Sequence, residues 1–243
     1  MSSITVGARS FDAHLGAGVV QFWTHRFQTD TEVVHNSYRL LSSDERDRAD
    51  RFFQPEIRNR FILARAGLRR LLAWHLGTNP QEVAFAYGEY GKPHLDKSDL
   101  SFNMSHSGEM AIYVVSHGRK VGVDVEFVGR KVSRDQIAGR FFASEEVAAL
   151  EAMPERERDR GFFTIWTLKE AYLKAQGTGI TNALDSFAVR VEGHSQKLLR
   201  ADDDPDASEK WKIVSVDICV DYVAAVCGEG KNWQIEYCKW PRS

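Results

Sequence analysis

Along residues 121–127 polar and apolar positions alternate without a break. Val121, Val123 and Val125 fall on one side and Gly122, Asp124 and Glu126 on the other, which predicts a strand with one apolar face. The run at 110–116 is apolar up to Ser116 and predicts a buried strand. His117-Gly118-Arg119-Lys120 reads as a turn, so 110–116 and 121–127 are expected to pair as a hairpin. Residues 162–175 change to a helical pattern: Trp166, Glu170 and Lys174 recur every fourth position and share a face. Phe162, Phe163, Ile165, Leu168, Ala171, Tyr172 and Leu173 cover most of its remaining circumference, the mark of a largely buried helix.

The rest of the chain reads less sharply. Residues 19–23 suggest a first strand. Ser42 followed by Glu45 has the spacing of a capping box, and a helical region broken near Pro55 follows it. Phe61, Leu68 and Leu72 predict a second helix over about 56–76, ended by Gly77. Strands are expected at 83–87, near Phe102, and at 186–191, 211–216 and 222–227, with a helix at 144–153. The order suggests an α+β fold in two similar halves, 1–118 and 119–243, with no repeat visible as identity. Asp202-Asp203-Asp204-Pro205-Asp206 reads as a solvated loop.

Composition narrows the class. At 243 residues, 43% hydrophobic and 27% charged, the chain can build a sizeable core. A net charge of −2 gives no general attraction to nucleic acid or to an acidic membrane surface. Three cysteines, Cys219, Cys227 and Cys238, lack CxxC spacing and suggest reduced thiols in a cytoplasmic protein. No signal peptide is visible, and no run approaches the ~20 apolar residues of a membrane span.

Asp124 and Glu126 lie one pleat apart, roughly 7 Å, and alternating acids are common on the exposed face of a strand. Glu170 and Lys174, as Glu then Lys at i and i+4, also suit an ordinary surface pair. On a buried helix, however, such charges require partners. Three oxygen ligands and a lysine point to magnesium-assisted chemistry on a phosphate. Arg48, Arg58, Arg60, Arg65, Arg69 and Arg70 form the strongest local basic feature, most of it readable as a solvated helix face. Guanidinium binds phosphate in bidentate fashion, and Arg48 and Arg65 are the two advanced for that role. Gly91-Lys92-Pro93 lacks P-loop spacing.

Gly122-Val123-Asp124-Val125-Glu126 and Trp166-Thr167-Leu168-Lys169-Glu170-Ala171-Tyr172-Leu173-Lys174 resemble the GxDxE and WxxKEAxxK signatures of the 4′-phosphopantetheinyl transferases, in the larger two-half subfamily typified by the surfactin-synthetase activating enzyme. The likeness extends to the basic helical region, Tyr90-Gly91-Lys92-Pro93, Phe102-Asn103-Met104-Ser105-His106-Ser107 and Arg140-Phe141-Phe142. It implies two related halves with the active site in the cleft between them.

The resemblance also implies roles. Asp124, Glu126 and Glu170 would be ligands of Mg2+, or of Mn2+ in its place. Glu170 and Lys174 would be catalytic, with Lys169 beside the phosphate or nucleophile. Coenzyme A would meet Arg48, Arg65, Lys92, Pro93, Ser105, His106, Asp124 and Lys174. Glu146 and Trp166 would support the reacting centre. The partner would be an apo acyl or peptidyl carrier protein, docking between Phe141 and Phe162, with the enzyme a monomer serving secondary metabolism. Glu45 and Phe61 depart from the surfactin-synthetase enzyme, where basic and hydroxyl residues serve the 3′-phosphate, so those contacts must be redistributed here. Two other readings fit parts of the pattern: a non-catalytic module that binds coenzyme A or carriers, and a metal-dependent nuclease. The usual nuclease lysine follows a strand acid by two positions, whereas Lys174 follows a helical acid by four.

Overall fold

A computed structural model describes residues 15–16, 18–179, 184–192 and 195–240. The chain runs β1 (Val19–Arg26), α1 (Thr31–Tyr38), α2 (Ser43–Asp50), α3 (Pro55–Leu76), β2 (Ala86–Tyr87), β3 (Pro93–His94), β4 (Leu100–Ser107), β5 (Met110–His117) and β6 (Val121–Phe127). There follow α4 (Arg134–Phe141), α5 (Ser144–Glu151), α6 (Glu155–Gln176), β7 (Phe187–Glu192), β8 (Ser195–Ala201), α7 (Ala207–Lys210), β9 (Trp211–Cys219), β10 (Tyr222–Glu229) and β11 (Gln234–Lys239).

Two sheets hold the frame, ordered β11-β1-β5-β4 and β6-β10-β9. The expected hairpin of 110–116 with 121–127 does not form. Strand β5 is flanked on both edges by β1 and β4, so it has no free edge to offer, and β6 pairs antiparallel with β10 instead. Strand β11 returns to run parallel with β1.

The two halves repeat one topology. In the first, β1, α3 and the β4–β5 hairpin give the order β1-β5-β4; in the second, β6, α6 and the β9–β10 hairpin give β6-β10-β9. Both long helices have 22 residues, and each ends on a glycine in the left-handed region, Gly77 (φ 64°) and Gly177 (φ 79°). The repetition absent from the sequence as identity is therefore present as architecture.

Alternation along the strands assigns their faces. Val20, Phe22, Ile112 and Val114 of the first sheet pack against Val121, Val123, Val125, Ala224 and Val226 of the second. The opposite faces are covered by helices: Trp23, Tyr113 and Val115 lie under α3, and Val223, Ala225 and Cys227 under α6. The result is four layers, helix, sheet, sheet, helix.

Helix α6 begins two turns earlier than its apolar pattern predicts, because 155–160 is charged and solvent-facing yet helix-compatible. The strand expected at 83–87 contracts to β2, paired only with β3. No helix among the described residues is long and apolar enough to cross a membrane.

Candidate functional site

The site lies on the seam where β4 of the first half runs beside β6 of the second. No backbone ladder joins these strands, and side chains two residues apart on β4 do so instead. Asn103 Oδ1 accepts from the Val123 amide at 2.9 Å, Ser105 Oγ donates to Asp124 Oδ1 at 2.7 Å, and Ser107 Oγ donates to Glu126 Oε2 at 2.8 Å. Ser107 Oγ also accepts from the Phe127 amide at 3.1 Å. The alternation Asn103, Ser105, Ser107 matches the strand period, a signal from which this ladder could have been drawn.

Asp124 and Glu126 face α6, as the sequence pattern predicts. Gly122 permits the approach: a Cβ there would overlap the Ala171 carbonyl oxygen and the Ala175 nitrogen of α6. The contact brings Lys174 Nζ to 2.6 Å from Asp124 Oδ1 and 3.1 Å from Ser105 Oγ. Asp124, Glu126 and Glu170 are all buried, and Asp124 Oδ2 is sealed from solvent without a hydrogen-bond partner. Burial first, then the Asp124 charge, raises the pKa of both Glu126 and Glu170. Arg130, 3.3 Å from Glu126 Oε1, offsets little of this from its half-exposed position.

This is an anionic cluster short of positive charge. Its donors are all hard carboxylate oxygens, one of them orphaned, so its chemistry fits a divalent ion such as Mg2+. As the side chains stand, no three His, Cys, Asp or Glu residues among those described converge tightly enough to enclose an ion. The Lys174 ammonium takes the position against Asp124 instead.

A cavity of about 260 Å³ opens beside the cluster and is lined from both halves: Tyr90, Lys92, Pro93 and Asn103 on one side, Glu170, Lys174 and Gly177 on the other. His106 lies exposed on β4 near Phe27, with ring centroids 6.5 Å apart. The surrounding protein, then the Lys174 and Arg60 charges, lower its pKa. Arg60 on α3, part of the basic feature but not one of the two arginines advanced for phosphate, is thus a basic neighbour of this edge. A larger cavity, about 480 Å³, opens between the first turns of α6 and the β9–β10 hairpin and contains none of the candidate residues.

Several expected site residues stand elsewhere. Lys169, expected beside the phosphate or nucleophile, is fully buried: its Nζ donates to both carboxylate oxygens of Glu146 at 2.7 Å and to the Phe187 carbonyl at 2.6 Å. Glu146, expected near the reacting centre, also accepts from the amides of Ala143 (2.8 Å) and Val189 (2.7 Å), and so joins α5, α6 and β7. Burial raises the pKa of Glu146 and lowers that of Lys169. Trp166 belongs to an aromatic cluster with Phe142 and Phe162, its ring 6.1 Å from the latter.

Lys92 borders the cavity, but its Nζ donates to the carbonyls of Val121 (3.0 Å) and Ala175 (3.1 Å), and burial lowers its pKa to about 8. Arg48 is exposed, stacked over Phe61 at 5.3 Å. Arg65 is engaged by Glu45 and by the Tyr87 hydroxyl.

Comparison with known proteins gives this geometry its context. The family model for the 4′-phosphopantetheinyl transferase superfamily matches residues 120–227, and that for the N-terminal part of a 4′-phosphopantetheinyl transferase matches 26–118. The 4′-phosphopantetheinyl transferase HetI of Nostoc sp. (strain PCC 7120) is 38% identical over 222 residues, covering 90% of this chain and 91% of the relative. The chain belongs to the 4′-phosphopantetheinyl transferase superfamily. The transferase is also 30% identical over 189 residues to Sfp of Bacillus subtilis (strain 168), covering 77% of this chain and 82% of Sfp. Together these relatives place it in the two-half, Sfp-type subfamily. A crystal structure of the holo-[acyl-carrier-protein] synthase of Thermotoga maritima aligns over 46% of the transferase and 63% of that chain, with TM-score 0.38 and 20% identity.

Proposed function

We propose that this transferase moves the 4′-phosphopantetheine group of coenzyme A to a serine of an apo acyl or peptidyl carrier protein, with Mg2+, leaving adenosine 3′,5′-bisphosphate. The observation that carries the reading is the seam cluster. Asp124, Glu126 and Glu170 are buried together with Lys174 at one end of a cavity lined by both halves, and Asp124 Oδ2 lacks a partner. These three carboxylates would hold the ion, which when bound supplies positive charge against the phosphoryl oxygens.

The chain's own groups account for the rest. Lys174, with 30% of its side chain exposed, can leave Asp124 to donate to a phosphoryl or leaving-group oxygen. Ser105 and His106 lie along the same strand to meet the diphosphate, and exposed Arg48 is free to reach the 3′-phosphate. Glu170 accepts the serine proton at its carboxylate, which the bound ion would keep ionised and ready to receive it. Residues 1–118 would supply most nucleotide contacts and 119–243 the catalytic groups. The carrier would dock along the aromatic stretch from Phe141 to Phe162. The enzyme would act as a cytoplasmic monomer.

The test is intact-mass spectrometry of an apo carrier incubated with the protein and coenzyme A, with Mg2+ or with EDTA. A gain of one phosphopantetheine group only in the presence of metal is the expected result. Binding of coenzyme A with no gain on several unrelated carriers would refute transfer.

A further inference from the structure

Glu45 sits where α2 meets α3, with 3% exposure. Its carboxylate accepts from Nε of Arg65, from Nε of Arg69 at 2.6 Å, and from the Ser42 amide at 3.0 Å. Burial opposes its charge, but the two guanidiniums outweigh that and hold the pKa below the ordinary value. From this anchor both arginines reach the next segment of chain. Arg69 donates to the carbonyls of Pro80 and Val83, each at 2.9 Å, and Arg65 Nη2 donates to the Tyr87 hydroxyl at 2.7 Å. Both guanidiniums lie over the Phe85 ring, at 4.3 and 5.2 Å.

The segment held in this way leads directly into the β2–β3 hairpin. Tyr87 pairs with Pro93 and Ala86 with His94, and the Gly88 amide closes the turn on the Lys92 carbonyl at 3.0 Å. The turn carries Tyr90 and Lys92 to the wall of the cavity, and Lys92 Nζ fastens its far end to β6 and α6. The hairpin is short, two residues a strand, so its own ladder cannot fix it against the body of the fold. Its position therefore depends on these side-chain ties. Arg65, with 11% of its side chain exposed, has Nε on a buried carboxylate and Nη2 on a hydroxyl, so the side-on bidentate face of its guanidinium is already filled.

We infer that Arg65 is a positioning residue: with Glu45 and Tyr87 it latches the Ala86–His94 hairpin against the coenzyme A pocket, and it does not itself bind a phosphate of the substrate. The inference rests on the functional reading above. Coenzyme A and its 3′-dephospho analogue separate the two roles, because a direct ligand of the 3′-phosphate would distinguish them and a latch would not.

The experiment is calorimetric titration of both compounds into the wild type, Arg65→Met and Tyr87→Phe, with KM and kcat for carrier modification. Loss of the latch should weaken both ligands by the same factor, about 3- to 10-fold, and raise KM for coenzyme A with kcat kept within about twofold. Tyr87→Phe leaves both arginines in place and should move in the same direction, so the outcome does not hang on Arg65→Met folding. A selective loss of coenzyme A affinity in Arg65→Met, bringing it level with the dephospho compound, would overturn the inference. So would a wild-type KM in Tyr87→Phe. If the wild type binds neither compound, the functional reading fails on its own. Amide exchange over 86–94 then still decides the latch: faster in both variants supports it, unchanged refutes it.

Discussion

Lys169 and Lys174 lie in one signature and do different work. Successive helical residues point about 100° apart, so Lys169 and Glu170 cannot both face β6. Glu170 and Lys174 do, and Lys169 turns into the core to meet Glu146, where both side chains are 0% exposed. The spacing made Glu170 and Lys174 legible. It said nothing of which buried group Lys169 would meet, because Glu146 is 23 residues away in sequence. A buried pair broken on one side leaves an unpaired charge, so Lys169→Met should cost about 3–5 kcal/mol in urea denaturation. Adding Glu146→Gln, which removes the unpaired charge and keeps an oxygen to accept from a buried amide, should return part of that stability and, with it, transfer. A single variant of wild-type stability that cannot transfer would instead give Lys169 a direct chemical role.

At the scale of elements, the contact of β6 with α6 brings the candidate residues together. The strand's alternation was readable, and so was the helix's polar stripe. Their juxtaposition depends on Gly122, where a side chain would meet helix backbone that cannot yield. Gly122→Ala should therefore destabilise the fold by about 1–3 kcal/mol and slow transfer more than about tenfold, as Asp124 is pushed from Lys174. Wild-type transfer rates from this variant would show that the close approach is dispensable.

The misassigned hairpin has a related cause. The apolar run at 110–116 and the alternation at 121–127 specify strands and their faces, but not which edges are already filled. Strand β5 lies between two neighbours, and its partner β1 comes from far earlier in the chain, as the register Gln21 with Val115 shows. Strands β8 and β11 and helices α1 and α4 also went unread. They are short and mostly half-exposed, and their stability comes from packing against elements distant in sequence.

Taken whole, the molecule is one β-α-β-β unit used twice, with the candidate site at the junction. The first copy supplies a basic helix and the polar edge of β4; the second supplies the acids of β6 and α6. The Asn103, Ser105 and Ser107 ladder joins them with side chains in place of backbone bonds, which leaves the seam lined with polar groups. Strand β11, crossing back to β1, ties the end of the second half to the first sheet. The pairing of the halves could be expected from family resemblance, and the physical reason for it is the apolar face each sheet would otherwise expose.

The central claim is that the seam cluster performs transfer and is not merely part of a pocket for coenzyme A. Glu170→Gln tests it most directly, because it removes one charge and one proton acceptor from the cluster while keeping side-chain size. Coenzyme A binding would be measured by calorimetry, and carrier modification by intact mass, on the same preparation. The account predicts transfer slowed at least about 100-fold, with affinity for coenzyme A kept within about fivefold. Transfer at the wild-type rate, or loss of binding and transfer together, would contradict it.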